Sequence, residues 1–207
     1  MTLVRKTIYQ HIHRDKAMRK IILKMQISLD GIVSDVEQWM TMNDEMIEDI
    51  LQFYNSLDAI AIGGRTYPSL AEMWQSAENS EGSELMRKFA VKINDIEKIV
   101  LSRSPVDLVW KNSRQLPADN DDSLIREINS LKNSKGKNIS VESGAGVWHA
   151  FIRTSTFDDI WMFVHPVVVG KGTHLFVNND TKLSMKPIKT KKYSNGVVGL
   201  YYQKREE

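Results

Sequence analysis

The 207-residue chain contains no cysteine. That removes disulfides, thiolate metal sites and cysteine nucleophiles together, and makes an intracellular, cytoplasmic protein the expectation. A dominant sign of charge is also lacking, since 28 basic residues against 26 acidic leave a net +2. Such a balance gives no reason to expect a nucleic-acid partner. No apolar run approaches the roughly 18 residues that span a bilayer. Charged and polar residues also break up Met1 to Lys20, so the continuous apolar stretch of a secretory signal is missing and no membrane partner is expected. What is present is an ordinary globular composition, 42% hydrophobic and 26% charged, enough to bury one sizeable core in a single domain.

Residues 1–17 read as an N-terminal extension, with Arg5, Lys6, Arg14 and Lys16 against the single acid Asp15. His11 and His13 would need further ligands to hold a metal, and none stands nearby, so no metal site is expected. From residue 18 to 207 the pattern is that of one α/β domain. Ile21 to Ile27 reads as a buried strand ended by Asp30-Gly31, and Asn43 and Asp44 offer caps for a helix running through Met46, Ile47, Ile50, Tyr54 and Leu57. Asp58–Ile62, Ile96–Leu101, Leu108–Trp110, Asn138–Val141 and Ile160–Val169 read as further strands. Helices are expected around Leu85–Ile93, from Asp121 or Asp122, and over Gly144–Arg153, with one or two antiparallel strands in the tail. Strands alternating with helices, then strands alone, predict a mainly parallel sheet with an antiparallel C-terminal edge.

Three strand ends are built to meet phosphate. Gly63-Gly64-Arg65-Thr66 combines glycines that let a backbone come close with a guanidinium, although two glycines and a solvated arginine also make a plain turn. Ser102-Arg103-Ser104 suits a phosphate monoester such as the 2′-phosphate of NADPH; the competing reading is an ordinary loop. Ser143-Gly144-Ala145-Gly146 opens a helix but carries His149 where a dinucleotide fingerprint has its third glycine, which favours an anion-binding helix start over a Rossmann motif. All three follow the carboxyl end of a strand, where open α/β sheets bind ligands.

Met18 to Leu23, Ser28-Leu29-Asp30-Gly31, Ile62 to Tyr67, Ile99 to Arg103 and His165 to Phe176 occur in an order that strongly resembles the dihydrofolate-reductase-like family. The likeness is to the type represented by the reductase domain of bacterial riboflavin biosynthesis, the RibD C-terminal domain, and it covers about residues 18–203. The resemblance implies a mainly parallel central sheet flanked by helices, with an antiparallel C-terminal hairpin. It implies NADPH as cofactor and a homodimer. It assigns Gly64, Arg65 and Thr66 to the cofactor phosphates, Ser102 and Arg103 to the 2′-phosphate, and Ser143, Gly144, Ala145 and Gly146 to the pyrophosphate. Ser28, Asp30 and Gly31 would line the nicotinamide and substrate cleft. The chain departs from the family pattern at Ser143, where a glycine is usual, and at Thr156-Phe157-Asp158-Asp159, which reads as structural.

Reducing a C=N or C=O bond consumes a proton as well as a hydride. Asp30, ending a buried strand, is the candidate for contacting substrate or relaying that proton, and the competing reading is an Asp-Gly turn. Glu45 and Glu48 read as solvated caps, His165 as a hydrogen-bonded structural histidine, and Gly170-Lys171-Gly172 as a turn without Walker spacing. Trp39 and Trp74 are the tryptophans expected nearest a cleft, and the lysines between 182 and 192 read as a solvated sheet edge. The leading expectation is an NADPH-dependent reductase of a small heterocycle, pterin-like or of the aminopyrimidine type found in riboflavin precursors. The alternative is a non-catalytic nucleotide- or ligand-binding protein on the same fold.

Overall fold

The computed structural model describes residues 18–80, 83–177 and 182–205. The expected extension, with His11 and His13, lies outside the described residues. In chain order the elements are β1 (Ile21–Ser28), α1 (Asp44–Tyr54), β2 (Leu57–Gly63), α2 (Tyr67–Glu78), α3 (Glu84–Asp95), β3 (Glu97–Ser102) and β4 (Ser113–Pro117). There follow α4 (Asp121–Asn133), β5 (Asn138–Val141), α5 (Ala145–Arg153), β6 (Asp159–His165), β7 (Met185–Lys192) and β8 (Val198–Lys204). The described strands form one sheet in the order β4-β3-β2-β5-β1-β6-β8-β7. Every pairing from β4 to β6 is parallel, and β6–β8 and β8–β7 are antiparallel. This is the α/β architecture that the sequence predicts. No helix among the described residues is long and apolar enough to cross a membrane.

β1 is apolar almost throughout because both of its faces are covered. Ile21, Leu23, Met25 and Ile27 pack against α4 and α5, while Ile22 packs with residues of α1 and α3 on the other side. Strand alternation therefore turns Lys24, the one charged residue of this run, toward the α1 face.

The amino ends of the strands are pinned by charge. Arg19, buried, donates to the Lys137 carbonyl at 2.6 Å and the Ser134 hydroxyl at 3.0 Å, and pairs with Asp58. Gly136 has φ +157°, and a Cβ there would stand 2.4 Å from the Asp58 carboxylate, so only glycine fits this clasp. Asp158 accepts from the Ile21 N–H and Lys132, and Asp159 from Lys20 and Tyr201, so this departure from the family pattern supplies anchors.

Four details differ from the sequence reading. Tyr67–Glu78 is a helix where the sequence reading expects none. The expected strand at Leu108–Trp110 is a loop, and β4 lies just beyond it. Trp110 is buried there by bonding rather than pairing: its N–H donates to the Tyr67 hydroxyl at 2.8 Å, and its indole to Asn94 at 2.7 Å. β6 stops at His165 instead of running to Val169, since Pro166 has no N–H for the ladder. Leu57 begins β2 rather than ending α1.

Lys98 is fully buried beneath Trp110, its ammonium 4.6 Å from the ring centroid. It donates to the carbonyls of Asn94 (2.6 Å), Ile96 (2.8 Å) and Ile93 (3.3 Å), closing the C-terminal end of α3. Burial pushes its pKa down to about 8, so it stays charged at neutral pH. In Lys98→Met three carbonyls lose their donor, while relief of a buried charge offsets part of the cost. Urea unfolding should show a loss of about 2–4 kcal/mol. An unchanged midpoint would mean that this ammonium does not hold α3 to the sheet.

Candidate functional site

The strands β2, β3 and β5 end side by side, and a cavity of about 470 Å³ opens beyond their carboxyl ends. Gly64, Arg65, Thr66, Ser102, Arg103, Ser143, Gly144, Ala145 and Gly146 all line it, so the three turns singled out from the sequence converge on one crevice.

The helices around it are capped unequally. α1, α3 and α4 each begin with a side chain that accepts a backbone N–H: Asn43 from Met46, Ser83 from Met86, and Asn120 from Ser123. α2 and α5 begin at Thr66 and Gly144 with no side-chain cap, and these are the starts carried by the glycine turns. A Cβ on Gly144 would lie 3.3 Å from the Thr66 hydroxyl, so the two starts are neighbours across the crevice. Each carries partial positive charge on its free first-turn amides. Arg65 and Arg103 are exposed at the rim, and among the described residues neither has a hydrogen bond or a carboxylate partner.

The glycines are required by the packing of the turns. A Cβ on Gly63 would meet Val147 at 2.6 Å and the Ser143 hydroxyl at 2.9 Å, and one on Gly64 would meet Ser102 at 2.9 Å. Ser143 uses its hydroxyl to accept the Gly63 N–H at 2.9 Å, tying the end of β2 to the end of β5. The Ser102 hydroxyl donates to the Ser104 carbonyl at 2.8 Å and accepts the Ser104 N–H at 3.2 Å, which rounds the turn bearing Arg103. Acids line the cavity too: Asp119 follows Ala118, whose N–H reaches the Ser102 carbonyl at 3.5 Å, and Asp121 is held by Arg153 of α5 through bonds of 2.6 and 2.8 Å.

Ser28, Asp30 and Gly31 flank this cavity without lining it, at the carboxyl end of β1, the strand beside β5. Asp30 accepts from the Ser28 hydroxyl (2.6 Å) and from the N–H groups of Gly170 (2.7 Å) and Val169 (3.1 Å). Those bonds, the Ser28 hydroxyl first, push its pKa down to about 2. It is therefore an anion at neutral pH, able to accept a hydrogen bond but holding no proton to give. Gly31 has φ +86°, a turn conformation that favours glycine.

A buried polar group that the sequence reading did not select stands directly behind the Ser143 turn. Lys24 and Glu142 form an ion pair at 3.0 Å with side chains only 9% and 15% exposed. The Tyr54 phenol, fully buried, is pushed well up by that burial and by the Glu142 carboxylate. The Tyr54 hydroxyl and Glu142 Oε1 nonetheless do not meet hydrogen-bond geometry, and among the described residues both lack a partner. Unused buried polar capacity of this kind suits a ligand edge or a water. The available signal was a lysine inside an apolar strand.

Other candidates take structural places. His165 is buried; its Nδ1 accepts the Thr41 N–H at 3.3 Å, which leaves Nε2 to donate to Gln26 Oε1 at 2.7 Å, and burial lowers its pKa. Trp74 packs on Phe89 between α2 and α3, and Trp39 sits edge-on to His165, so neither lines the cavity. Among the described residues no cluster of side chains is suited to hold a metal.

Comparison with known proteins gives this geometry relatives. A family model described as the RibD C-terminal domain matches residues 19–199. Uncharacterized protein YyaP of Bacillus subtilis (strain 168) is 28% identical over 188 residues, covering 89% of this chain and 94% of its own. Among solved structures, form 2 of RibD from Acinetobacter baumannii superposes with a TM-score of 0.65 at 13% identity, over 92% of this chain and 59% of that one. Dihydrofolate reductase from Enterococcus faecalis, solved with NADP(H), superposes with a TM-score of 0.57 at 12% identity, over 90% of this chain and 97% of that one. The fold is dihydrofolate-reductase-like.

The bonds to Asp30 carry a pH signature. A carboxylate whose pKa is lower folded than unfolded contributes stability that is complete above about pH 4 and is lost as pH falls through about 2. Between pH 5 and 2, as experimental bounds of roughly that range, Asp30→Asn should lose less stability than the unaltered chain in urea unfolding. Parallel acid limbs for the two proteins would contradict the assignment of Asp30 as the anchor of the Val169–Gly170 loop.

Proposed function

The chain belongs to the RibD C-terminal domain family, and from that premise we propose that it is an NADPH-dependent reductase of a small heterocycle, pterin-like or of the 5-amino-6-(ribosylamino)uracil type. The observation that carries the reading is the meeting of two uncapped helix starts over one crevice whose rim bears two unpartnered arginines. Such a place is suited to a pyrophosphate with a further phosphate beside it. The size of the cavity and the forced glycines at its floor fit an extended dinucleotide.

In this reading Gly64, Arg65 and Thr66 meet the pyrophosphate from α2, and Ser143, Gly144, Ala145 and Gly146 meet it from α5. Arg103 takes the 2′-phosphate, and Ser102 shapes the turn that presents it. When bound, the nicotinamide supplies a hydride. The protein's own task is to hold the acceptor carbon about 3–3.5 Å from the donor in a site closed to water. Ser28, Asp30 and Gly31 form the substrate side. Asp30 accepts a hydrogen bond from a ring N–H, since an ionised carboxylate has no proton to donate. The same reading takes a homodimer with it, which light scattering of the purified chain checks.

Titration of tryptophan fluorescence with NADPH, with NADH in parallel, tests the cofactor assignment. Loss of a charge-assisted contact worth about 1.5–3 kcal/mol predicts that Arg103→Ala weakens NADPH roughly 10- to 100-fold. NADH should change by no more than about twofold, since it has no phosphate at that position. Equal affinity for both nucleotides in the unaltered chain would remove the 2′-phosphate assignment. Nucleotide binding without oxidation of NADPH by any pterin or aminopyrimidine acceptor would favour the non-catalytic reading instead.

A further inference from the structure

Resting on the NADPH reading above, we propose that Gln115 of β4 is a positioning residue for cofactor selectivity, acting through the turn that carries Arg103. β4 is an edge strand, and its register sets Gln115 beside Val100, just before β3 opens into the Ser102 turn. From there one side chain holds the turn at three points. Gln115 Nε2 donates to the Ser104 carbonyl at 2.8 Å and to the Ser102 carbonyl at 3.4 Å, and Oε1 accepts the Val106 N–H at 3.0 Å. An amide is the side chain that gives two donors and an acceptor from one planar group. The three contacts enclose Arg103, which has no partner of its own among the described residues.

The second glycine turn is anchored separately, on β3 itself. The Gly64 N–H donates to the Leu101 carbonyl at 2.9 Å, and a Cβ on Gly64 would stand 3.0 Å from Val106 and 2.9 Å from Ser102. The Arg65 turn packs beside Ser102 and Val106 but makes its backbone bond to Leu101, which the Gln115 side chain does not touch. A long, exposed arginine loses much side-chain freedom when it grips a phosphate. Fixing the backbone beneath Arg103 lowers the remaining cost of ordering the site. Because NADH offers nothing to Arg103, the benefit goes to NADPH alone. Gln115 touches no phosphate itself; it sets where the guanidinium starts from.

The test is a double-mutant cycle read as the ratio of NADPH to NADH affinity, with circular dichroism confirming that each variant is folded. Gln115→Ala should weaken NADPH at least about fivefold and leave NADH within about twofold. Gln115→Glu keeps the acceptor for Val106 but sets a carboxylate against two carbonyl oxygens, and should lose selectivity to a similar degree. Adding Gln115→Ala to Arg103→Ala should change NADPH affinity by less than about twofold, because the brace acts only through that arginine. Equal weakening of both nucleotides in both Gln115 variants, or an additive double mutant, would overturn the proposal. Failure of the unaltered chain to bind NADPH overturns the cofactor reading and this inference with it. A preference for NADPH that survives both Gln115 substitutions overturns this inference alone.

Discussion

Two helix starts without side-chain caps face each other across the carboxyl ends of β2 and β5, and the glycine turns around them keep that space open. First-turn amides are normally answered by a cap, as Asn43, Ser83 and Asn120 answer those of α1, α3 and α4. At α2 and α5 no side chain gives that answer. Neither start can be crowded: a Cβ on Gly63 or Gly64 would run into the neighbouring turn. Ser143, which stands where the family usually has glycine, fits because its hydroxyl turns inward to the Gly63 N–H. The departure thus becomes a bond across the floor of the crevice.

The molecule divides its charges between two ends. At the amino ends of the strands, Arg19 with Asp58, Lys132 with Asp158 and Lys20 with Asp159 are paired and bonded, and each fixes a strand or loop. At the carboxyl ends Arg65 and Arg103 have no partner among the described residues. Saturated pairs hold a fold, whereas unpaired guanidinium groups beside uncapped amides are costly to collect unless something anionic comes to them. The buried Lys24–Glu142 pair belongs to neither end. It lies under the Ser143 turn, with the buried Tyr54 phenol against the Glu142 carboxylate.

Much of this was legible in the sequence. β1, β2, β3 and β5 are apolar runs stopped by glycine or polar turns, because sheets buried on both faces need such runs. The three turns that line the crevice were visible for the same reason, each breaking an apolar strand with small residues. β4 was not legible, since Ser113-Arg114-Gln115 on a sheet edge carries no apolar period, while Leu108-Val109-Trp110 imitates a strand although only Trp110 is buried, with its N–H on the Tyr67 hydroxyl. α2 was overlooked although Tyr67, Leu70, Ala71 and Trp74 keep helical spacing and Pro68 marks a start. Lys24 with Glu142, and Gln115 with the Ser102 turn, depend on register between distant segments. No local pattern announces them.

The most direct test of the central claim is an amide-resolved 15N–1H NMR titration of the full chain with inorganic pyrophosphate at moderate salt. The account predicts that the largest shifts fall on the amides at the starts of α2 and α5, from Thr66 and Tyr67 and from Gly144 to Val147, with little change at the capped starts of α1, α3 and α4. Shifts spread evenly over all five helix starts, or none at Gly144 to Val147, would contradict it.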